Sequence, residues 1–158
     1  MKIYVASSWR NPIQPDVVKA LRDAKHEVYD FRNPHDGYGF QWAWIDEGWQ
    51  RWTPEQFKLM LNHPIANKGF KLDWDAMEWA DCGVLVMPCG RSAHLEAGYF
   101  VGAKKNLVIL TNTGEPELMY KMADEICLSI PDLVDYLTKD ASSRSDERAA
   151  KAKGGNPP

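Results

Sequence analysis

Five short apolar runs punctuate the chain: "KIYVAS" (Lys2 to Ser7), "HEVYDF" (His26 to Phe31), "CGVLVM" (Cys82 to Met87), "NLVILT" (Asn106 to Thr111) and "EICLS" (Glu125 to Ser129). Runs this short, bounded by turn residues, predict β-strands. "CGVLVM" is apolar almost throughout, as expected of a strand covered on both faces. Between the runs the apolar spacing changes to three and four. Residues 15–25 place Val17, Val18, Leu21 and Ala24 on one helical face. Thr53, Pro54 and Glu55 read as a cap, a first helical residue and a first-turn acid, and predict a helix ending near Pro64. Residues 67–81 predict a further helix with Phe70, Trp74, Met77 and Ala80 facing inward. Residues 92–105 predict another, with Ser92 as N-cap and Ala93, Ala97, Phe100 and Val101 as its buried stripe. Short helices are expected over 116–123 and 131–138.

Strands alternating with helices imply an α/β fold: a doubly wound parallel sheet of about five strands with helices on both faces, because parallel strands need crossovers. Ligands in such sheets bind beyond the carboxyl ends of the strands. Two loops should meet there, "SSWRN" after the first strand and "PCGRS" after the third. Residues 1–138 are expected to form one domain, with an aromatic-rich insert at about 36–70. Residues 139–158 lack large apolar side chains, and are expected to be a disordered tail.

Composition narrows the classes. Of 158 residues, 44% are hydrophobic and 26% charged, with a net charge of −3. That balance fits a water-soluble domain and argues against binding nucleic-acid polymers or membrane surfaces. No apolar run approaches the roughly 20 residues of a membrane span. The start of the chain reads as a strand rather than a signal peptide. Cys82, Cys89 and Cys127 lack metal-ligand spacing and suit a reducing cytoplasm, and the four His show no metal spacing either. No metal and no cofactor are expected.

The candidate chemistry centres on Glu96. A capping box headed by Ser92 would place its acid at residue 95. Glu96 is one position too late, on the flank of the buried stripe. From the helix's first turn it should project into the cleft at the strand ends, where the dipole favours the ionised carboxylate. It is then either a dipole partner or a positioned nucleophile. Asp73 or Asp75 could supply the second carboxyl group that glycosidic chemistry uses. Asp81 should make a structural turn contact. Tyr4 is either a core aromatic or a phenol that orients Glu96. Trp9, in the loop over the crevice, offers a face to a purine or pyrimidine. Arg10 and Arg91 lie in the converging loops and could hold a phosphate or carboxylate, or simply face solvent. Ser7, Gly90 and Ser92 line the same loops. His94 falls on the side of the helical wheel away from Glu96.

Three segments in order resemble the nucleoside 2-deoxyribosyltransferase superfamily, which includes deoxynucleoside monophosphate N-glycosidases. They are "IYVASSW" (3–9), "LDWDAMEWADCGVLVMP" (72–88) and "GRSAHLEAGYFVGAKKNLVIL" (90–110). The resemblance runs from about Lys2 to Thr111, interrupted by the aromatic insert. It implies a flavodoxin-like sheet and cleavage or transfer at an N-glycosidic bond of a nucleoside or nucleotide. Glu96 would be the nucleophile that forms a glycosyl-enzyme, Asp73 would assist proton transfer to the base, and Tyr4 would orient Glu96. It also implies a homo-oligomer. The family's transferases carry an Asp six residues before the nucleophile and its monophosphate hydrolases a Ser. Here that position is Gly90, so recognition of the sugar and its 5′ end does not carry over. A nucleotide- or nucleotide-sugar-binding module without catalysis is the alternative. Trp42, Trp44, Trp49 and Trp52 have no counterpart in the family. They would serve as a lid over the base or as an oligomer contact, or mark an interaction protein.

Overall fold

The computed structural model describes residues 1–34 and 37–153. The chain runs β1 (Lys2–Ala6), α1 (Gln14–Asp23), β2 (Glu27–Asp30), α2 (Pro54–Met60), α3 (Pro64–Trp79), β3 (Cys82–Val86), α4 (Arg91–Gly102), β4 (Asn106–Leu110), β5 (Glu125–Cys127) and α5 (Ile130–Lys153). Single 3-10 turns form over Trp42–Trp44, Trp49–Arg51 and Leu118–Met122. The strands make one parallel sheet in the order β2-β1-β3-β4-β5. This is the doubly wound, flavodoxin-like architecture that the alternation of elements implies.

Strand alternation sorts the core into two layers. Ile3 and Val5 of β1 point to one face, where Val17 and Leu21 of α1 and Leu133 and Leu137 of α5 are fully buried. Tyr4 and Ala6 point to the other, onto Ala76 and Met77 of α3 and Ala93, Ala97 and Phe100 of α4. The Phe100 ring lies over Gly83 of β3, where an added Cβ would come within 2.5 Å of it. Gly83→Ala should therefore lower stability by about 1–3 kcal/mol, the usual cost of overfilling a packed core, measured by urea unfolding. The last turn of α3 is closed from a distance. Lys105 Nζ donates to the carbonyls of Met77, Glu78 and Ala80 at 2.8, 2.5 and 2.7 Å, satisfying groups that have no partner within the helix.

Four expectations are corrected. Pro64 opens α3 rather than merely following α2, because the His63 side chain accepts from Ile65 N and Pro suits the first helical position. The buried face of α3 then runs through small residues, Ala66, Gly69 and Ala76 with Met77. Phe70 and Trp74 face outward instead, 64% and 38% exposed, with their rings 5.8 Å apart. Small residues win that face because Gly69 lies against Phe40, with no room there for a Cβ. The cap of α4 is Gly90, in extended conformation, and Ser92 lies inside the helix. Residues 139–153 continue α5 as helix, as a stretch rich in Ala, Lys and Arg without Pro or Gly allows. Residues 154–158 of the expected tail, and His35 and Asp36 of the loop after β2, lie outside the described residues.

Candidate active site

The loops after β1 and β3 meet as the topology requires. Ser7 Oγ donates to Val86 O at 2.9 Å and accepts from Asn11 Nδ2 at 3.0 Å. Asn11 Nδ2 also reaches Val86 O and Pro88 O, both at 3.2 Å. Ser7 thus staples the two loops together, and its hydroxyl is already engaged at both ends.

Beside this seam two helices bring a carboxyl group each to the same face of the sheet. Asp73 interrupts the small-residue stripe of α3, and Glu96 projects from α4. With Gly90 as cap, Glu96 lies in the second turn, and the first turn of α4 holds no acid. A dipole partner belongs in the first turn, since the effect fades beyond it. Burial decides the acidity instead. It raises the Glu96 carboxyl to a pKa of about 7, the neighbouring Asp73 charge adds to the rise, and the Tyr4 hydroxyl opposes it. Desolvation thus opposes the ionised form that a helix dipole would favour, and that dipole lies one turn away. Asp73 is likewise raised by burial, to about 6, against the opposing hydrogen bond from Tyr29.

Two tyrosines face these carboxyls. Tyr4 and Tyr29 are register partners on adjacent strands, with rings 5.4 Å apart and 15° from parallel. Tyr29 Oη donates to Asp73 Oδ1 at 2.8 Å. Tyr4 is fully buried and its hydroxyl is directed at Glu96, yet it does not close to hydrogen-bond geometry and has no partner. Tyr29 was not anticipated from the sequence. Its signal was the matching place of Tyr in "KIYVA" and "EVYD", third in each strand.

Over the loop seam, Trp9 is 43% exposed and held from one side. Phe31 meets it edge-on at 5.4 Å, and the Arg32 guanidinium lies 5.9 Å from its ring centre. Gly39 approaches so closely that an added Cβ would lie 3.1 Å from Trp9 Cζ2 and collide with Phe31 O. Arg32 Nη2 donates to Ser8 O at 2.6 Å and Asn11 O at 2.8 Å, fixing the loop that carries the indole. Arg32 and Gly39 are the second omission of the sequence reading, since nothing in "FRNP" or "YGF" links them to Trp9 before the loops are in place.

Arg10, Gly90, Arg91 and Ser92 are exposed on the same two loops and the start of α4. Nothing within 4 Å would meet a Cβ at Gly90. Asp75 is turned to solvent and pairs with Lys71 at 2.7 Å, so Asp73 is the second carboxyl of the cleft. Asp81 makes its turn contact, accepting from Lys2 N at 3.1 Å. His94 is engaged at both nitrogens, with Gly90 O at 3.0 Å and Tyr120 Oη at 3.1 Å. Burial and the Glu96 charge push the Cys89 thiol up to about 11. The tryptophan segment packs largely on itself. Trp42 lies 4.8 Å from Phe40, 5.6 Å from Trp52 and 6.0 Å from Phe57, and Trp44 is exposed. Among the described residues no group of three or more His, Cys, Asp or Glu is placed to hold a metal ion, and no helix is long and apolar enough to cross a membrane.

A 2-deoxyribosyltransferase from the psychrotolerant bacterium Bacillus psychrosaccharolyticus superposes with a TM-score of 0.61 at 21% identity, over 86% of this chain and 92% of its own. A CMP N-glycosidase from Clostridium botulinum aligns over 87% of this chain and 97% of its own, at 15% identity and a TM-score of 0.47. No family model and no curated protein matches the chain. The first likeness shows a common fold, the one implied by the resemblance read from the sequence.

Proposed function

We propose that this protein belongs to the nucleoside 2-deoxyribosyltransferase superfamily and cleaves or transfers at the N-glycosidic bond of a nucleoside or nucleotide. The observation that carries the reading is the pair of partly buried carboxyls, Glu96 and Asp73, each faced by a tyrosine, beside a half-exposed indole. Two groups raised to about 7 and about 6 in one cleft retain on the order of one proton between them near neutral pH. These values put that proton mainly on Glu96, so the retaining reaction starts from the minor arrangement of the pair, with the proton on Asp73 and Glu96 as the carboxylate that attacks.

In the proposed reaction the Glu96 carboxylate bonds to the anomeric carbon. The C–N bond breaks, its electron pair stays on the base nitrogen, and Asp73 supplies the proton. Water or a second base then attacks the same carbon, Glu96 departs as carboxylate, and Asp73 takes up the proton released. Trp9 stacks on the base, Arg10 and Arg91 offer charge to a phosphate or carboxylate, and Gly90 and Ser92 line the same loops. No cofactor enters the scheme. The partner is a small nucleoside or nucleotide, and the working compartment is a reducing cytoplasm, in keeping with three free cysteines. A homo-oligomer would cover the outward Phe70 and Trp74, and light scattering would report its mass.

The test is chromatography of deoxynucleosides and their monophosphates incubated with the protein, with and without an acceptor base. Base release or exchange is expected. Folded protein that does neither with any member of the panel would leave the second reading, a silent nucleotide-binding module, which the bare Gly90 position favours.

If Arg32 holds the Trp9 platform, Arg32→Met should raise KM about tenfold and leave kcat within about twofold, because one base–aromatic stack is worth roughly 1–3 kcal/mol. Steady-state kinetics would show it, and a fall in kcat at unchanged KM would contradict it.

A further inference from the structure

The two carboxyls of the cleft are held differently. Asp73 is tied by a hydrogen bond of 2.8 Å from Tyr29, while the hydroxyl facing Glu96 has no partner. Resting on the function proposed above, we infer that Tyr29 is a positioning residue for proton transfer: by occupying Oδ1 of Asp73 it reserves Oδ2 as the oxygen that carries the proton to the leaving base.

The chemistry follows from what a phenol can do. Burial holds the Tyr29 proton firmly, and the charges of Asp73, Glu96 and Asp30 hold it further, so that Tyr29 is a donor throughout the working range. A donor fixed on Oδ1 leaves Oδ2 as the place for a carboxylic proton. The alternative, a carboxyl free to rotate, would present its O–H in two orientations, only one of them toward the base. Asp73 has no other hydrogen bond among the described residues. The register of the sheet supplies the rigidity. Tyr29 is paired with Tyr4 across two parallel strands, and their stacked rings leave the phenol little freedom. The same asymmetry suits Glu96. A nucleophile must shift toward the anomeric carbon as the bond forms, and a carboxyl without a closed hydrogen bond can move.

Tyr29→Phe keeps the ring and the stack and removes only the donor. With an ordinary nucleoside its kcat should fall about ten- to a hundredfold, part of the 10²–10⁴ that a general acid contributes. With an N7-methylated purine nucleoside, whose base leaves without a proton, the loss should be less than about threefold. The double variant Tyr29→Phe/Asp73→Asn should be no slower than Asp73→Asn alone, because Tyr29 acts through Asp73. A structural role alone would slow both substrates equally and add to the Asp73 effect. Either result would overturn the inference. A second arm needs no turnover. Carboxyl carbon NMR titration should show the Asp73 pKa about one unit or more higher in Tyr29→Phe, since a hydrogen bond to its anion is lost. If the wild-type protein releases no base, the proposed function falls while the titration still judges the contact. If it is active and the Asp73 titration does not move, the inference about Tyr29 falls alone.

Discussion

Glu96→Gln is expected to slow turnover at least about a thousandfold while the protein stays folded. An amide neither attacks an anomeric carbon nor stabilises the positive charge that grows on the sugar as the base departs. The change is nearly isosteric, and Glu96 flanks the buried stripe of Ala93, Ala97 and Phe100 rather than belonging to it. Asp73→Asn should cost less, and least with bases that leave easily. Rates for the two variants, with circular dichroism as the control on folding, decide the matter. Near-normal turnover by Glu96→Gln would rule out the covalent scheme.

The same substitution should make the protein more stable at alkaline pH. Burial raises both carboxyls above their ordinary values, from 4.5 to about 7 for Glu96 and from 3.8 to about 6 for Asp73. A group whose pKa is higher in the folded than in the unfolded chain binds protons more readily when folded. Its contribution is fully present below the ordinary value and is lost as pH rises through the folded one. Stability should thus fall between about pH 4 and pH 7 on account of this pair, then level off. At pH 8 each neutral variant should gain on the order of 1–3 kcal/mol, a few degrees in Tm for a domain of this length. At pH 4 the gain should vanish. The double variant should gain less than the sum, because the two charges repel each other. Thermal melts at pH 4, 6 and 8 would show this. Parallel curves for wild type and variants would mean that the carboxyls are not desolvated as described.

What the sequence disclosed followed from periodicity and order. Strand runs bounded by turns gave the sheet, and Glu96, one place too late for a capping box, pointed to the cleft. Asp73 and Asp75 were indistinguishable by residue type. The family resemblance favoured Asp73, and the docked helix separates the two physically, with Asp73 on the sheet-facing stripe and Asp75 beside Lys71. Phe70 and Trp74 misled because, with Met77, they fall at the spacing of four and three that reads as a core stripe, whereas α3 seats itself through Ala and Gly. Tyr29 and Arg32 escaped notice for another reason. Their roles exist only across strands and loops that meet in space, 44 residues from Tyr29 to Asp73 and 24 from Arg32 to Ser8.

The alternation of β1 has an evolutionary corollary. Ile3 and Val5 serve the layer formed with α1 and α5, and Tyr4 and Ala6 the layer that carries Asp73 and Glu96. Mutations in the first layer alter folding free energy without touching either carboxyl. A lineage could therefore accumulate stabilising changes behind the sheet that offset two desolvated acids in front of it, and substrate preference could drift on one side while robustness was selected on the other. The strand's odd and even positions are, in that sense, separately heritable.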